Sequence, residues 1–490
     1  MKKIISIIFL AFFAAWTAAA QQTSLRSAYF MEGYSGRGEF NPAFAAQRNY
    51  FSIPGTGGAG VNLQSNMGVS TFLYPTADGN LTTFMSSSVS SDEFLGGLKN
   101  NNRIGASMTL PMMSLGIWGR NAFFTFGIRE RVDVNANIPY SLFDFMKNAG
   151  ASQYYDISDL AVRAEAYTEY AFGWSRQIAG KVNVGARLKF LMGSANADAR
   201  IDRMHVQMTD DRWSVTAQGT MSAAFGLLDV KTKAETGAKL DSPDDGDVVD
   251  EVDLKEFSEA GTGSLFGGYG AALDLGAELE LIPGLKLSLA VNDLGFMSWR
   301  HTYKATTHEN SWIFDGFDNV SFDEGKDNSF SKQFDDLGDD LKDLYRMHLV
   351  SSDAVKARML ALTLNAGAEY TMPFYSGLTA GVLSSTRFNG PYTWAEGRLY
   401  ANLKPCRWFS FGLNYAISSF GSTMGTALGF HTSGFNMFLG ADSISFKYAK
   451  ATSGGIPYPY GQLHLGLNFG ISFNIGRPRD TSPANALIAL

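Results

Sequence analysis

Arg163, Glu165 and Glu169, Arg187 and Lys189, Glu278 and Glu280, Glu369, Glu396 and Arg398, and His464 all fall in stretches where polar and apolar residues alternate. Acids and bases gathered on one face can move protons, line a conduction path or brace one another. Opposite charges facing each other favour bracing, so these residues are candidates for the inner face of a closed sheet. Other signatures of chemistry are thin. Gly55-Thr56-Gly57-Gly58-Ala59-Gly60 fits G-x-G-x-x-G, but Val61 and Leu63 lead into a strand, so there is no helix N-terminus to hold phosphate. His301 and His308 lack an H-E-x-x-H pattern, and no G-x-S-x-G elbow occurs. The carboxylates near Asp244 to Asp247 do not follow EF-hand spacing, so a solvated loop is expected there rather than a Ca²⁺ site. Cys406 is the only cysteine and has no disulfide partner. The sequence therefore predicts no enzyme, no metal and no cofactor.

The elements that position these charges are strands. From Leu463 to Ile475 the residues Leu463, Leu465, Leu467, Phe469, Ile471, Phe473 and Ile475 alternate with His464, Gly466, Asn468, Gly470, Ser472 and Asn474. Successive side chains of a strand point to opposite faces, so one face is apolar and the other small and polar. The run is long enough for the roughly 9–11 residues a tilted strand needs to cross a bilayer. Lys181 to Phe190, Tyr269 to Leu281, Leu360 to Tyr370 and Phe409 to Ser418 repeat the pattern. Such repetition predicts an all-β chain, a transmembrane antiparallel barrel with lipid outside and a polar lumen.

Short turns at 118–121, 178–181, 282–285, 372–376, 404–407 and 440–443 divide the chain into hairpins of 57–74 with 103–117, 121–137 with 160–178, 181–206 with 264–282, 284–300 with 355–371, 374–388 with 392–404, 407–419 with 424–440, and 443–450 with 461–475. That makes about fourteen strands, or sixteen if 199–225 adds a pair. Long outer loops fall near 197–263 and 301–354, the second with a helix-like stretch around Phe334, Leu337, Leu341, Leu344 and Tyr345. Trp118, Trp174, Trp299, Trp394, Trp408, Tyr370, Tyr375 and Tyr448 are expected to form an interfacial girdle.

Lys2, Lys3, the apolar stretch Ile4 to Phe13 and Ala18-Ala19-Ala20 read as a signal peptide removed after Ala20, which sends the chain to the outer membrane of a Gram-negative cell. The 490 residues carry a net charge of −7 without a Lys/Arg cluster, which argues against nucleic acid as a partner. After the leader, the barrel spans 57–476 and a tail runs from 477 to 490.

Residues 21–56 show no strand-length alternation and are rich in glycine and aromatics, including Tyr29, Phe30, Tyr34 and Phe44. A barrel wider than about eight strands is not filled by its own side chains, so this segment is expected to plug the lumen, with Asn41, Pro42 and Ala43 fixing a tight turn. A hatch carrying Asn-Pro-Ala followed by about fourteen strands resembles the FadL-type long-chain fatty-acid transporters. More narrowly, Ser24-Leu25-Arg26-Ser27-Ala28-Tyr29-Phe30-Met31 with that tripeptide resembles a Bacteroidota outer-membrane barrel family of unassigned function. The tail after the last strand departs from the transporter pattern. The resemblance implies passive uptake of a hydrophobic small molecule. An interaction barrel that partners secretion or surface machinery is the second reading, and a barrel hydrolase, marked by a Ser/His pair, the third.

Overall fold

In the computed structural model, the last strand, Gln462–Ile475, pairs with Ala59–Gly68 at the start of the wall, placing Phe469 beside Ala59 and Leu467 beside Val61. Every wall strand thus has antiparallel neighbours on both sides, and the wall is a closed barrel of 14 strands with extra strands outside the circuit. The structure describes residues 26–479 apart from 77–79, 150–153, 179, 210–211, 241–242, 255–265, 309, 316–331, 333–343, 345, 445–447, 451–456 and 460. The leader, most of the helix-like stretch and the end of the tail lie outside the described residues.

The wall runs through Asn49–Ser52 with Ala59–Gly68, Asn101–Trp118, Phe123–Pro139, Ala161–Ile178, Val182–Met208, Gly268–Ile282, Leu285–Thr306, His348–Met359 with Leu362–Thr371, Leu378–Phe388, Trp394–Cys406, Phe409–Ser418, Gly421–His431, Phe435–Ile444 and Gln462–Ile475. The alternation sorts as its chemistry requires. Leu467 and Phe469 are 51% and 40% exposed, whereas His464 and Asn468 are buried. Leu467→Arg is therefore expected to destabilise the inserted barrel by about 2–4 kcal/mol if it sits near the bilayer midplane. Leu467→Phe should stay within about 0.5 kcal/mol. Urea titration in lipid vesicles measures both, and equal costs would contradict an outward, lipid-facing Leu467.

Several boundaries differ from expectation. The stretch 424–440 is not one strand, because the chain turns at Thr432 to Gly434, where the Thr432 hydroxyl accepts from the backbone of Gly434 and Phe435. Residues 440–443 look like a turn in sequence but lie in Phe435–Ile444 at a bulge between Ala441 and Ser443. Tyr448–Lys450 pairs only with Pro457–Pro459, outside the wall. Trp213–Phe225 pairs with the upper part of Val182–Met208 and extends the sheet beyond the barrel without widening its circuit. Asn49–Ser52, expected in the plug segment, is wall: it pairs with both Asn101–Trp118 and Gln462–Ile475.

The girdle holds only in part. Trp174, Trp408, Tyr370 and Tyr375 are exposed, but Trp299 and Trp394 are buried. Trp394 shares strand parity with Glu396 and Arg398 and faces inward with them. Trp299 is turned inward by a bulge at which Asn292 and Asp293 together face Asp274. One extra residue reverses the parity of everything beyond it. Leu360, expected outward, joins Trp299 and Met297 in a buried cluster where the wall strand breaks between Met359 and Leu362.

Candidate functional site

The N-terminal residues Arg26 to Phe44 form two short 3-10 turns, Arg26–Ala28 and Ser35–Glu39, with most side chains buried. Tyr29, Phe30, Tyr34, Phe40 and Phe44 make an apolar cluster with Leu383, Tyr400 and Phe438 of the wall. Backbone groups that no ladder satisfies are met by wall side chains, as burial demands. Asp442 accepts from the amides of Arg26 at 2.8 Å and Ser27 at 2.6 Å, and also from the Ser27 hydroxyl. The Tyr400 hydroxyl donates to the Arg26 carbonyl at 2.5 Å. Asn292 and Asn365 donate to the Phe40 carbonyl at 2.8 and 3.2 Å. These contacts come from several strands of the wall.

Asn41 does two things. Its Oδ1 accepts from the Ala43 amide at 2.9 Å and closes the Asn-Pro-Ala turn, while its Nδ2 donates to the Ala277 carbonyl at 3.1 Å. Two wall glycines make room. Gly276 and Gly185 are direct cross-strand partners, and a Cβ on either would collide with Asn41 or Pro42. Lys286 lies 2.7 Å from Glu32 and holds that carboxyl down at about 2, although 41% of the Glu32 side chain is open and solvent screens the pair.

Charged residues of several wall strands meet one another. Glu169, fully buried, lies 2.9 Å from Arg129 and 3.0 Å from Arg131, and 3.8 and 3.9 Å from Arg187 and Lys189. Lys189 also reaches Asp274 at 2.7 Å and Asp293 at 2.6 Å, and Arg131 reaches Asp293 at 3.1 Å. Asp293 has φ +61, and its amide donates to Asp274. The bulge thus lets two consecutive residues face inward, Asn292 to the segment and Asp293 to the cations. The wall contributes four cations to this group against three carboxylates. Glu39 of the segment, 2.6 Å from Arg129, supplies the fourth.

Higher in the lumen Arg358 pairs with Glu165, Arg387 stands 3.6 Å from Asp133, and Arg103 donates to the Thr393 carbonyl at 2.5 Å, each linking well-separated strands. Arg163 pairs with Asp198 at 2.8 Å, and Arg398 with Glu396 at 2.8 Å. Glu278 accepts from Asn183 at 2.8 Å and Glu280 from the Gly284 amide at 3.2 Å. Glu369 and His464 are also buried. Sequence reading missed Arg129, Arg131, Asp133, Asp293, Arg387 and Asp442. The first three lie at alternate positions in Phe123–Pro139, a signal that was available, whereas Asp442 resembled turn chemistry and Asp293 depends on the bulge.

A Ser/His pair is present. Ser410 Oγ lies 2.8 Å from His431 Nε2, and among the described residues no carboxylate is hydrogen-bonded to the ring to orient it. Asp245 is engaged by Arg346 at 3.1 Å and Lys233 at 3.7 Å, and Asp247 by His348 at 2.8 Å. Among the described residues no group of three His, Cys, Asp or Glu side chains is placed to hold a metal ion.

The wall has one marked fault beside the segment. Residues 52–58 of the chain face only 470–472 of the neighbouring strand, and the other neighbour carries a bulge between Pro111 and Met113. A small cavity opens there, lined on the inside by Glu39, Phe44, Arg129 and Arg187 and on the outer face by Met113 and Ile128.

The model of a family described as "Family of unknown function (DUF5723)" matches residues 42–442, from inside the Asn-Pro-Ala turn to the carboxylate that anchors Arg26. The chain belongs to that family. No curated protein matches it. Among solved structures the barrel resembles FadL-type outer-membrane transporters at low identity over nearly its whole length. The P. putida toluene transporter TodX is 8% identical with a TM-score of 0.38, over 89% of this chain and 93% of that one. The Ralstonia pickettii toluene transporter TbuX is 8% identical with a TM-score of 0.37, over 94% and 96%. A Pseudomonas aeruginosa FadL homologue is 11% identical with a TM-score of 0.36, over 93% and 99%.

Proposed function

We propose that this protein is a gated outer-membrane channel for small hydrophobic molecules, with Arg26 to Phe44 acting as its plug. The observation that carries the reading is the cavity at the wall fault, whose lining takes residues from both faces of the wall. At about 40 Å³ the cavity is smaller than the roughly 150 Å³ that holds a benzene ring, so its lining must widen before a molecule with an apolar body lies there between lumen and bilayer. The reading also assigns the leader to export and the 477–490 tail to the periplasm.

In cells carrying the protein, an environment-sensitive hydrophobic dye is expected to enter several-fold faster than in cells without it. Gly127→Leu, which places a side chain at the cavity, should remove most of that gain. Equal uptake in all three strains would sink the channel reading. The second reading, an interaction barrel, draws support from the Arg387 to Asp133 and Arg103 to Thr393 contacts, which brace the lumen above the segment. It would then take precedence, with secretion or surface proteins as partners.

A further inference from the structure

The wall treats the N-terminal segment as a receptor treats a peptide. Gly276 and Gly185 sit opposite each other and shape one notch for Asn41 and Pro42. A Cβ at Gly381 would likewise lie 2.8 Å from the Phe30 ring, and one at Gly367 would lie 3.1 Å from the rings of Phe30 and Tyr29. Around these sockets hydrogen bonds join wall side chains to segment backbone: the amides of Arg26 and Ser27 donate to Asp442, Tyr400 donates to the Arg26 carbonyl, and Asn292 to the Phe40 carbonyl. Backbone capture combined with shaped pockets for individual side chains is how peptide sites achieve both affinity and selectivity. By contrast, the link between segment and wall, residues 45–48, is only half-buried.

We propose that the lumen is a built peptide-binding site whose ligand is this chain's own Arg26 to Phe44, held by the Gly185 and Gly276 notch and the Asp442 carboxylate independently of its covalent link. The inference rests on the plug reading and adds to it what holds the plug and what would release it. The segment leaves as a unit, because the notch, the Asp442 anchor and the aromatic cluster all belong to one continuous stretch.

The test uses the full chain with a protease recognition sequence inserted between Ala45 and Ala46. After cleavage of the folded, detergent-solubilised protein, the fragment is expected to remain with the barrel through size-exclusion chromatography and to separate only on boiling. In the same background Gly276→Val should release it at least about tenfold faster. Asp442→Ala leaves the glycine notch and strand ladder intact and should do likewise, so the test survives if the valine variant does not fold. Immediate loss of the fragment from the otherwise native lumen would overturn the proposal, as would release at the same rate from the Asp442→Ala barrel. Dye uptake is scored separately, so loss of the fragment would not by itself decide the channel reading, and failure of uptake would not decide this one.

Discussion

Glu169→Ala is expected to destabilise the folded barrel by about 3–5 kcal/mol, the range seen when one partner is removed from a buried charge pair. Glu169 is fully buried and is the one carboxylate that all four cations of the group approach within 4 Å. Removing it leaves Arg129 with Glu39 alone, while Arg131 and Lys189 must share Asp293 and Asp274. The strands on either side cannot reorganise to cover the loss, because ladder bonds fix their positions. Glu169→Gln keeps the shape and one acceptor oxygen and should cost less. Urea unfolding in vesicles, followed by heat-modifiable gel mobility, gives both values. A loss below about 1 kcal/mol for the alanine variant would mean that water, not the ion network, satisfies the cations.

The same residues show what sequence can and cannot reveal. Period-two alternation is local, so it sets Arg187, Lys189 and Glu278 on the face opposite their apolar neighbours without knowledge of any other strand. It fails wherever one residue is added. Trp299 carries the parity of an outward residue when read from Leu285, but the extra residue at Asn292 and Asp293 reverses it, and nothing in the local sequence marks a bulge. Turn chemistry misled in the opposite sense at Gly440 to Ser443, where Asp442 looks like a turn residue because its carboxylate is needed by the Arg26 and Ser27 amides, more than 400 positions away in the chain. Asn41, Pro42 and Ala43 carry turn chemistry in their own residues, but the socket beside them does not show in sequence, since Gly185 and Gly276 meet only through the register of two strands.

Removal of Ser24 to Ala45 is expected to convert a nearly closed protein into one with steady, many-fold larger conductance in planar bilayers. The cut must stop before Asn49, because Asn49–Ser52 belongs to the wall and a longer deletion would open the barrel for an unrelated reason. Without the segment, the Asp442 carboxylate and the Asn292 and Asn365 amides lose their backbone partners, and Arg129 loses Glu39. A polar cavity of that kind fills with water. How wide the path becomes then depends on the braces above it, Arg387 to Asp133 and Arg103 to Thr393. The deletion combined with Arg387→Ala and Asp133→Ala should therefore conduct more than the deletion alone, whereas Asn41→Ala with Pro42→Gly, which loosens one anchor of several, should open the pore only for part of the time. If the deletion leaves the baseline flat and the triple change opens it, closure resides in the braces and the segment is no gate. A flat baseline in every variant would remove the channel reading and favour a barrel whose work is done at its surface.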